Sequence, residues 1–383
     1  MKILLTGAHF TTALAVIEEL KQYPKMDLVY VGRRSTMENV NLSSAESNIL
    51  PQYGVKFISI TTGKLQKSFS PLSLLSLLKI PIGILQSTFI ILKEKPDVVL
   101  SFGGYVAVPV VFVSWLFSVP IMIHEQTLVT GLANKVSSSF ADKIAVSFDT
   151  SYDFDKSKVI LTGNPIRKDL VNSDKSPSND ISLILKEASK SRLPILYITG
   201  GNQGAHALNE VMSDCIKLIN QKVIVIHQTG DSLFHDFEKL TDIRNNLRNP
   251  ERYLLRKWVD VNDLSVIFKK TDFVLSRAGA NTLTELSFFG IPAIVVPYPH
   301  LRSNEQMKNA QFFEKLGLVK IIPQSKFNQK LFMEVFEEFL KDLEALKRLA
   351  HNSKKINIPD SEKRIALETY LLGLKSGGLK NHV

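Results

Sequence analysis

Pro194-Ile195-Leu196-Tyr197-Ile198-Thr199-Gly200-Gly201-Asn202-Gln203-Gly204-Ala205 is the stretch that decides the fold. Its first half is a short apolar run of strand length, and its glycines open a turn. Beyond it Leu208, Val211, Met212, Cys215 and Ile216 recur at helical spacing. A buried strand that feeds a glycine turn and then an amphipathic helix is the building unit of a parallel sheet. Working outward, the same unit recurs. Further strands are predicted at Val223 to His227, Tyr253 to Arg256, Phe273 to Leu275, Ala293 to Val296 and Val319 to Ile322. Upstream they are predicted at Ile3 to Leu5, Leu28 to Val31, Val55 to Ile60, Val98 to Ser101, Pro120 to Ile123, Ile144 to Val146 and Val159 to Leu161.

A polar stretch, Asn172 to Asp180, separates the two series and reads as a surface loop near a domain boundary. The chain is therefore α/β, with two Rossmann-like halves, and 383 residues suffice for two cores. Such sheets bind ligands at the carboxyl ends of their strands, so two facing halves would enclose a cleft. The expected boundaries are 1–165, 166–360, and a terminal helix and tail at 361–383. From Gly377-Gly378 onward the tail is expected to fray.

Hydrophobic residues make up 44% and charged residues 22%, which excludes wholesale disorder. Cys215 is the single cysteine, so an internal disulfide and a multi-cysteine metal site are excluded; a reducing compartment fits. No secretory leader is expected, because Met1 to Gly7 runs at once into a strand and turn. The net charge of +10 favours an anionic partner. Val98 to Ile123 lacks charge but is broken by Gly103-Gly104, Pro109 and Pro120, and parses as strand, loop, buried helix and strand. Pro71 to Leu92, whose single charge is Lys79, is more apolar than one buried helix face needs and is flanked by Lys64, Lys67, Lys93 and Lys95. It reads either as a surface resting on an anionic membrane or as a core helix pair.

Three glycine turns follow strands: Thr6-Gly7-Ala8-His9, Phe102-Gly103-Gly104-Tyr105 and the quoted turn at 200–205. Each offers backbone N–H groups and a positive helix end, suited to phosphate. None is G-x-G-x-x-G or a P-loop, which disfavours a dehydrogenase and a P-loop enzyme. His124-Glu125-Gln126 follows a strand, and residue 128 is Leu, so the His-Glu-x-x-His zinc motif is absent. Glu285 reads either as a first-turn acid or as an acceptor for ribose hydroxyls. His300 to Asn309 reads as a sugar-binding or a solvated loop. No aromatic-basic interleaving marks a nucleic-acid binder, and none is expected as a partner.

Taken in order, these segments resemble the undecaprenyl-diphospho-muramoylpentapeptide β-N-acetylglucosaminyltransferases. The resemblance covers Lys2 to about Gln324. It is carried by Thr-Gly-Ala-His at 6–9, Lys95-Pro96-Asp97, Phe102 to Val106, His124-Glu125-Gln126 with Gly131 to Lys135, and Gly163-Asn164-Pro165-Ile166-Arg167. In the second half it is carried by the turn at 200–205 with Leu208-Asn209, by Arg277 to Glu285, and by Gln306 with Asn309-Ala310. It implies the GT-B fold, two Rossmann-like parallel-sheet domains facing across a cleft. It also implies inverting transfer of N-acetylglucosamine from UDP-N-acetylglucosamine to an undecaprenyl-diphosphate-linked acceptor, with no cofactor or metal. The place would be the cytoplasmic face of the cell membrane, peripherally on the anionic inner-membrane surface.

The resemblance implies that Arg167, Asn202 and Gln203 contact the nucleotide and diphosphate and that Val259 holds the uracil. Ala280, Asn281, Thr282, Leu283, Thr284 and Glu285 would cradle phosphate and ribose, and Gln306 would read the sugar. On the acceptor side it implies Thr6, Gly7, Ala8, Gly103, Gly104, Tyr105 and Thr127, with His9 as the catalytic base and Glu125 as its rival or partner. Two departures stand out. The family's first loop is usually Gly-Gly-Thr-Gly-Gly-His with Pro three residues on; here Ala8 is expected to add a methyl and strain the turn, and Thr12 replaces the proline. Thr127 stands where Asn is frequent. Both put acceptor handling in question, and the alternatives are another lipid acceptor or an inactive paralogue with a degenerate first loop. A nucleotide-sugar epimerase on the same fold is the rival reaction.

Overall fold

A computed structural model of the chain describes all residues except 34, 38, 39, 44, 64–70, 173–175, 202–203, 232–233, 300–303 and 381–383. The side chains of 35–37, 40–43, 45, 71–78 and 376–380 also lie outside the description. The chain divides into two units, Met1–Arg167 with Ile358–Val383, and Lys168–Asn357.

The first unit opens with β1 (Lys2–Thr6), α1 (Phe10–Leu20) and β2 (Asp27–Gly32). A short antiparallel pair, β3 (Ser35–Met37) and β4 (Val40–Ser43), and α2 (Ala45–Ile49) lead to β5 (Lys56–Ser59). Then come α3 (Pro71–Glu94), β6 (Val98–Ser101), α4 (Ala107–Leu116), β7 (Ile121–Glu125), α5 (Leu132–Ser137), β8 (Lys143–Val146) and β9 (Val159–Leu161). The sheet order is β5-β2-β1-β6-β7-β8-β9 and every pairing in it is parallel. The β3–β4 pair is absent from the sequence expectation; its strands are too short to show a period-2 pattern.

The second unit has α6 (Lys168–Val171), α7 (Asn179–Ser191), β10 (Ile195–Thr199), α8 (His206–Ile219), β11 (Ile224–Gln228), α9 (Asp236–Asn245) and β12 (Tyr253–Arg256). It continues through α10 (Val261–Lys270), β13 (Phe273–Ser276), α11 (Ala280–Phe289), β14 (Ala293–Val295), α12 (Glu305–Lys315) and β15 (Val319–Ile321). It closes with α13 (Gln329–Lys341) and α14 (Leu343–Asn352). Its sheet runs β12-β11-β10-β13-β14-β15, again parallel throughout.

Both strand orders reverse direction once. In the first sheet connections run outward from β1 to one side and from β6 to the other; in the second the divide lies between β10 and β13. Open parallel sheets bind ligands in the crevice at such a switch point. Thr6 pairs with Ser101, and Thr199 with Ser276, so each divide is flanked by two level strand ends.

The last helix, α15 (Ser361–Lys380), returns to the first unit, where Ile365, Ala366 and Leu372 join the core beside α1. This corrects one expectation. The segment beyond 360 is not separate, because Ile365, Ala366, Thr369 and Leu372 form one buried face. The helix runs on to Lys380.

The apolar segment at 71–92 is one helix, α3, with Pro81 inside it, and not a core helix pair. Ile82, Leu85, Phe89 and Leu92 are exposed, Leu85 at 71% and Phe89 at 66%. Their spacing of three, four and three puts them on one face. On α4, which packs against α3, Trp115, Leu116 and the following Phe117 are also exposed. Among the described residues no helix is long and apolar enough to cross a membrane.

Candidate functional site

At the first switch point two glycine turns interlock. Ala8 N–H donates to Gly103 O at 3.1 Å, and Tyr30 Oη donates to Gly7 O at 3.0 Å. Gly7 has φ +144°, and a Cβ there would lie 2.9 Å from Phe102 backbone. Gly104 has φ +83°, and a Cβ there would meet the Ala8 methyl at 2.6 Å. Ala8 is not among the residues with positive φ, so the expected backbone strain is absent. Its methyl takes space that Gly104 leaves.

His9 follows this turn as the cap of α1, with more than a third of the residue open to solvent. Surrounding protein atoms lower its pKa to about 4 by desolvation. The remaining solvent contact moderates that shift, and its direction, a neutral imidazole at pH 7, is what matters.

His124 and Glu125 end β7 in the same crevice, Gln126 and Thr127 directly follow, and all four are buried. Glu125 Oε1 accepts from Thr127 N–H at 3.1 Å and Thr127 Oγ1 at 2.8 Å; Oε2 accepts from Gly131 N–H at 2.9 Å and Asn134 Nδ2 at 3.0 Å. Burial raises its pKa, opposed by these four bonds. Both oxygens are thus committed to the loop at 125–134, and Asn134 ties it further by donating to His124 O. His124 donates from Nε2 to Gly163 O at 3.3 Å, and burial lowers its pKa to about 4. Thr12 Oγ1 donates to Gln126 Oε1 at 2.9 Å, a bond that a proline at position 12 has no hydroxyl to make. Tyr105 lies half-buried beside the second turn, and Arg167 is the last residue of this unit's first segment.

At the second switch point Gly200, Gly201, Gly204 and Ala205 lead into α8; Asn202 and Gln203 lie outside the described residues. Gly204 has φ +74°, and a Cβ there would strike Thr229 O at 2.2 Å. Beneath the turn Gln228 Nε2 donates to Gly201 O at 3.4 Å and its Oε1 accepts from Tyr197 Oη at 2.8 Å. Asn209 Nδ2 donates to Thr229 O and Asp236 Oδ2, and its Oδ1 accepts from His227 Nε2 at 3.0 Å.

Across the divide α11 starts at Ala280 without a side-chain cap and without an acidic residue in its first turn. Its positive end is therefore open to an anion. Glu285 lies in the second turn, so it is no first-turn acid, and its charge is felt by Tyr197 on β10. Asn281 and Thr282 are half-buried at the helix start. Leu283 and Thr284 follow on the same helix. The Leu283 side chain is fully buried and its N–H donates to Gly279 O, while Thr284 Oγ1 donates to Ala280 O. Both side chains face the core and support the helix. Val259 is 6% exposed next to the open Trp258, and Gln306 Oε1 accepts from Tyr298 N–H at 2.8 Å.

Sequence reasoning missed the side chains under the turns. Asn134, Gln126 and Asn209 stand within quoted segments, but only the folded contacts give them a task. Arg277 was passed over as well; it donates to Val296 O at 3.0 Å and covers the Tyr298 ring.

Residues 6–146 match the glycosyltransferase family 28 N-terminal domain, and residues 195–365 its C-terminal domain. A relative from Halothermothrix orenii is 32% identical over 361 residues, 92% of this chain and 93% of that protein. One from Bacillus cytotoxicus is 29% identical over 94% of this chain and 95% of its own. Both are named UDP-N-acetylglucosamine–N-acetylmuramyl-(pentapeptide) pyrophosphoryl-undecaprenol N-acetylglucosamine transferase. Among solved structures, MurG of Acinetobacter baumannii superposes with a TM-score of 0.69 at 23% identity, covering 97% of this chain and 99% of that one. The UDP complex of MnaA from S. aureus gives 0.69 at 17%, covering 97% and 96%. These two establish the shared fold, GT-B with two parallel-sheet domains, while the sequence relatives establish kinship: the chain belongs to the N-acetylglucosaminyltransferases of glycosyltransferase family 28 that act on pyrophosphoryl-undecaprenol-linked N-acetylmuramyl-pentapeptide.

Proposed function

We propose that the chain transfers N-acetylglucosamine from UDP-N-acetylglucosamine to undecaprenyl-diphospho-N-acetylmuramoyl-pentapeptide, with inversion at the anomeric carbon. The observation that carries this is His9. It is a neutral, solvent-reaching imidazole at a glycine turn on a sheet's switch point, in a chain that matches such transferases along more than nine-tenths of its length. The acceptor belongs to the first unit, its diphosphate over the turns at Thr6 to Ala8 and Gly103 to Tyr105. The donor belongs to the second unit, with its phosphates at the turn at 200–205 and the start of α11, ribose on Glu285, uracil at Val259 and sugar at Gln306.

In the reaction the acceptor hydroxyl oxygen attacks the anomeric carbon, His9 takes the hydroxyl proton, and the bond to UDP breaks. The leaving diphosphate gains charge as that bond opens, and helix N-termini with Arg167 answer it. Glu125 is the weaker candidate for the base: a carboxylate that already accepts four hydrogen bonds has no lone pair aimed at substrate. Thr127 serves by holding Glu125, which keeps the loop formed without the more frequent Asn.

The exposed stripe Ile82, Leu85, Phe89 and Leu92, together with Trp115, Leu116 and Phe117, rests on the anionic cytoplasmic face of the membrane that carries the acceptor. Lys93 lies over the Phe89 ring at 5.7 Å, where its ammonium can reach headgroups. Phe89→Glu is expected to abolish salt-sensitive sedimentation with anionic vesicles while oligonucleotides stay unbound. Undiminished vesicle binding by this variant would remove the membrane assignment. The transfer itself is tested by incubating labelled UDP-N-acetylglucosamine with a short-chain lipid acceptor and following label into the lipid product.

A further inference from the structure

Gln126 is only 3% exposed, yet just one end of its amide is used inside the protein. Oε1 accepts from Thr12; among the described residues nothing accepts from Nε2, and that nitrogen is not sealed from solvent. A largely buried amide that keeps its N–H pair unused favours a ligand that can accept from it.

Its surroundings indicate which ligand. Gln126 directly follows β7, at the carboxyl edge of the first sheet. Thr12 is the third residue of α1 and His9 caps that helix, so the amide contact lies about 4.5 Å along the helix axis from His9. The backbone on either side is fixed, because Glu125 holds Thr127, Gly131 and Asn134. An anion over the two interlocked glycine turns takes N–H and repels a carbonyl oxygen. That preference and the Thr12 hydroxyl on the other side select the same amide orientation.

We propose that Gln126 is an acceptor-binding residue that donates from Nε2 to the diphosphate of the lipid-linked acceptor, and that Thr12 is the positioning residue that orients its amide. This rests on the acceptor assignment above.

The test is steady-state kinetics of transfer from UDP-N-acetylglucosamine to a short-chain polyprenyl-diphosphate acceptor. Gln126→Met, close in shape but without hydrogen bonds, is expected to raise acceptor KM about 10-fold or more and leave donor KM within about twofold. Gln126→Glu is expected to do more damage than Gln126→Met, because a carboxylate repels the diphosphate. Thr12→Val is expected to raise acceptor KM about threefold, and Thr12→Ser to restore it. Acceptor KM unchanged in Gln126→Met, both KM values raised alike, or Gln126→Glu no worse than Gln126→Met overturns the proposal. Should the Gln126 variants fail to melt cooperatively, the Thr12 pair decides: an acceptor KM unmoved by Thr12→Val overturns it. A wild-type enzyme that transfers nothing overturns the acceptor assignment and this proposal with it; an active wild type with indifferent variants overturns the proposal alone.

Discussion

The carboxyl ends of the two sheets are built on one plan and equipped differently. Each has a switch point flanked by level strand ends and glycine turns in which a Cβ would collide with backbone or with a neighbouring methyl. At the first, titratable side chains crowd in: His9, His124 and Glu125. At the second the turn and the α11 start offer mainly backbone, α8 and α11 carry no acidic residue in their first turns, and Glu285 stands one turn farther in. On the proposed reading both ends hold a diphosphate, and the first alone also carries side chains able to move a proton. Duplicated architecture thus says where ligands sit, and the side chains at each end say what is done to them.

The sharpest way to break this contrast is His9→Ala. Turnover is expected to fall about 10²- to 10⁴-fold with donor KM unchanged. Loss confined to donor KM would reverse the roles of the two ends. Because the pKa of His9 is lowered, wild-type kcat/KM is expected to stay level through pH 6.5, where an ordinary imidazole would already be half protonated, and to fall only at lower pH as the base is protonated.

Next in size is acid stability, where the two units should behave alike. His124 in the first unit and His227 in the second are buried and neutral, with pKa lowered to about 4 and about 3 from the ordinary 6.5. The unfolded chain therefore binds protons first as pH falls, so stability is full above about 6.5 and is lost progressively down to those values. The loss is at most about 3 to 5 kcal/mol per histidine, and chemical denaturation at pH 7 and pH 5 measures it. A midpoint independent of pH would contradict the neutral buried imidazoles.

Glu285→Ala is expected to raise donor KM about 10-fold or more while acceptor KM holds, the mirror image of the first unit's variants. Unchanged donor affinity, measured by calorimetry with UDP-N-acetylglucosamine, would take ribose away from Glu285. Smallest is Glu125→Gln. An amide placed against four donors is expected to cost about 1–3 kcal/mol of stability and to reduce activity together with it. Lost turnover with an unchanged melt would instead return Glu125 to the catalytic role.

The parallel strands were legible because buried β runs followed by glycine turns leave a strong local signature, and each predicted strand has a counterpart near its expected place. The β3–β4 pair was not legible, for three- and four-residue strands carry no periodicity. Nor was the return of α15, whose buried face depends on α1 far away in sequence. At the site, the glycine turns were legible from local spacing, whereas a role for His9 came only with the family resemblance. The restraint of Glu125 by Thr127, Gly131 and Asn134 was not legible, because it depends on how a loop closes on itself.

The central assignment is most directly tested by giving the purified protein UDP-N-acetylglucosamine labelled in the sugar, with and without a polyprenyl-diphospho-N-acetylmuramoyl-pentapeptide. Acceptor-dependent appearance of label in a β-linked disaccharide lipid, with one UDP released per sugar moved, is the predicted result. Label that stays on nucleotide, whether unchanged or epimerised at the sugar, would contradict it.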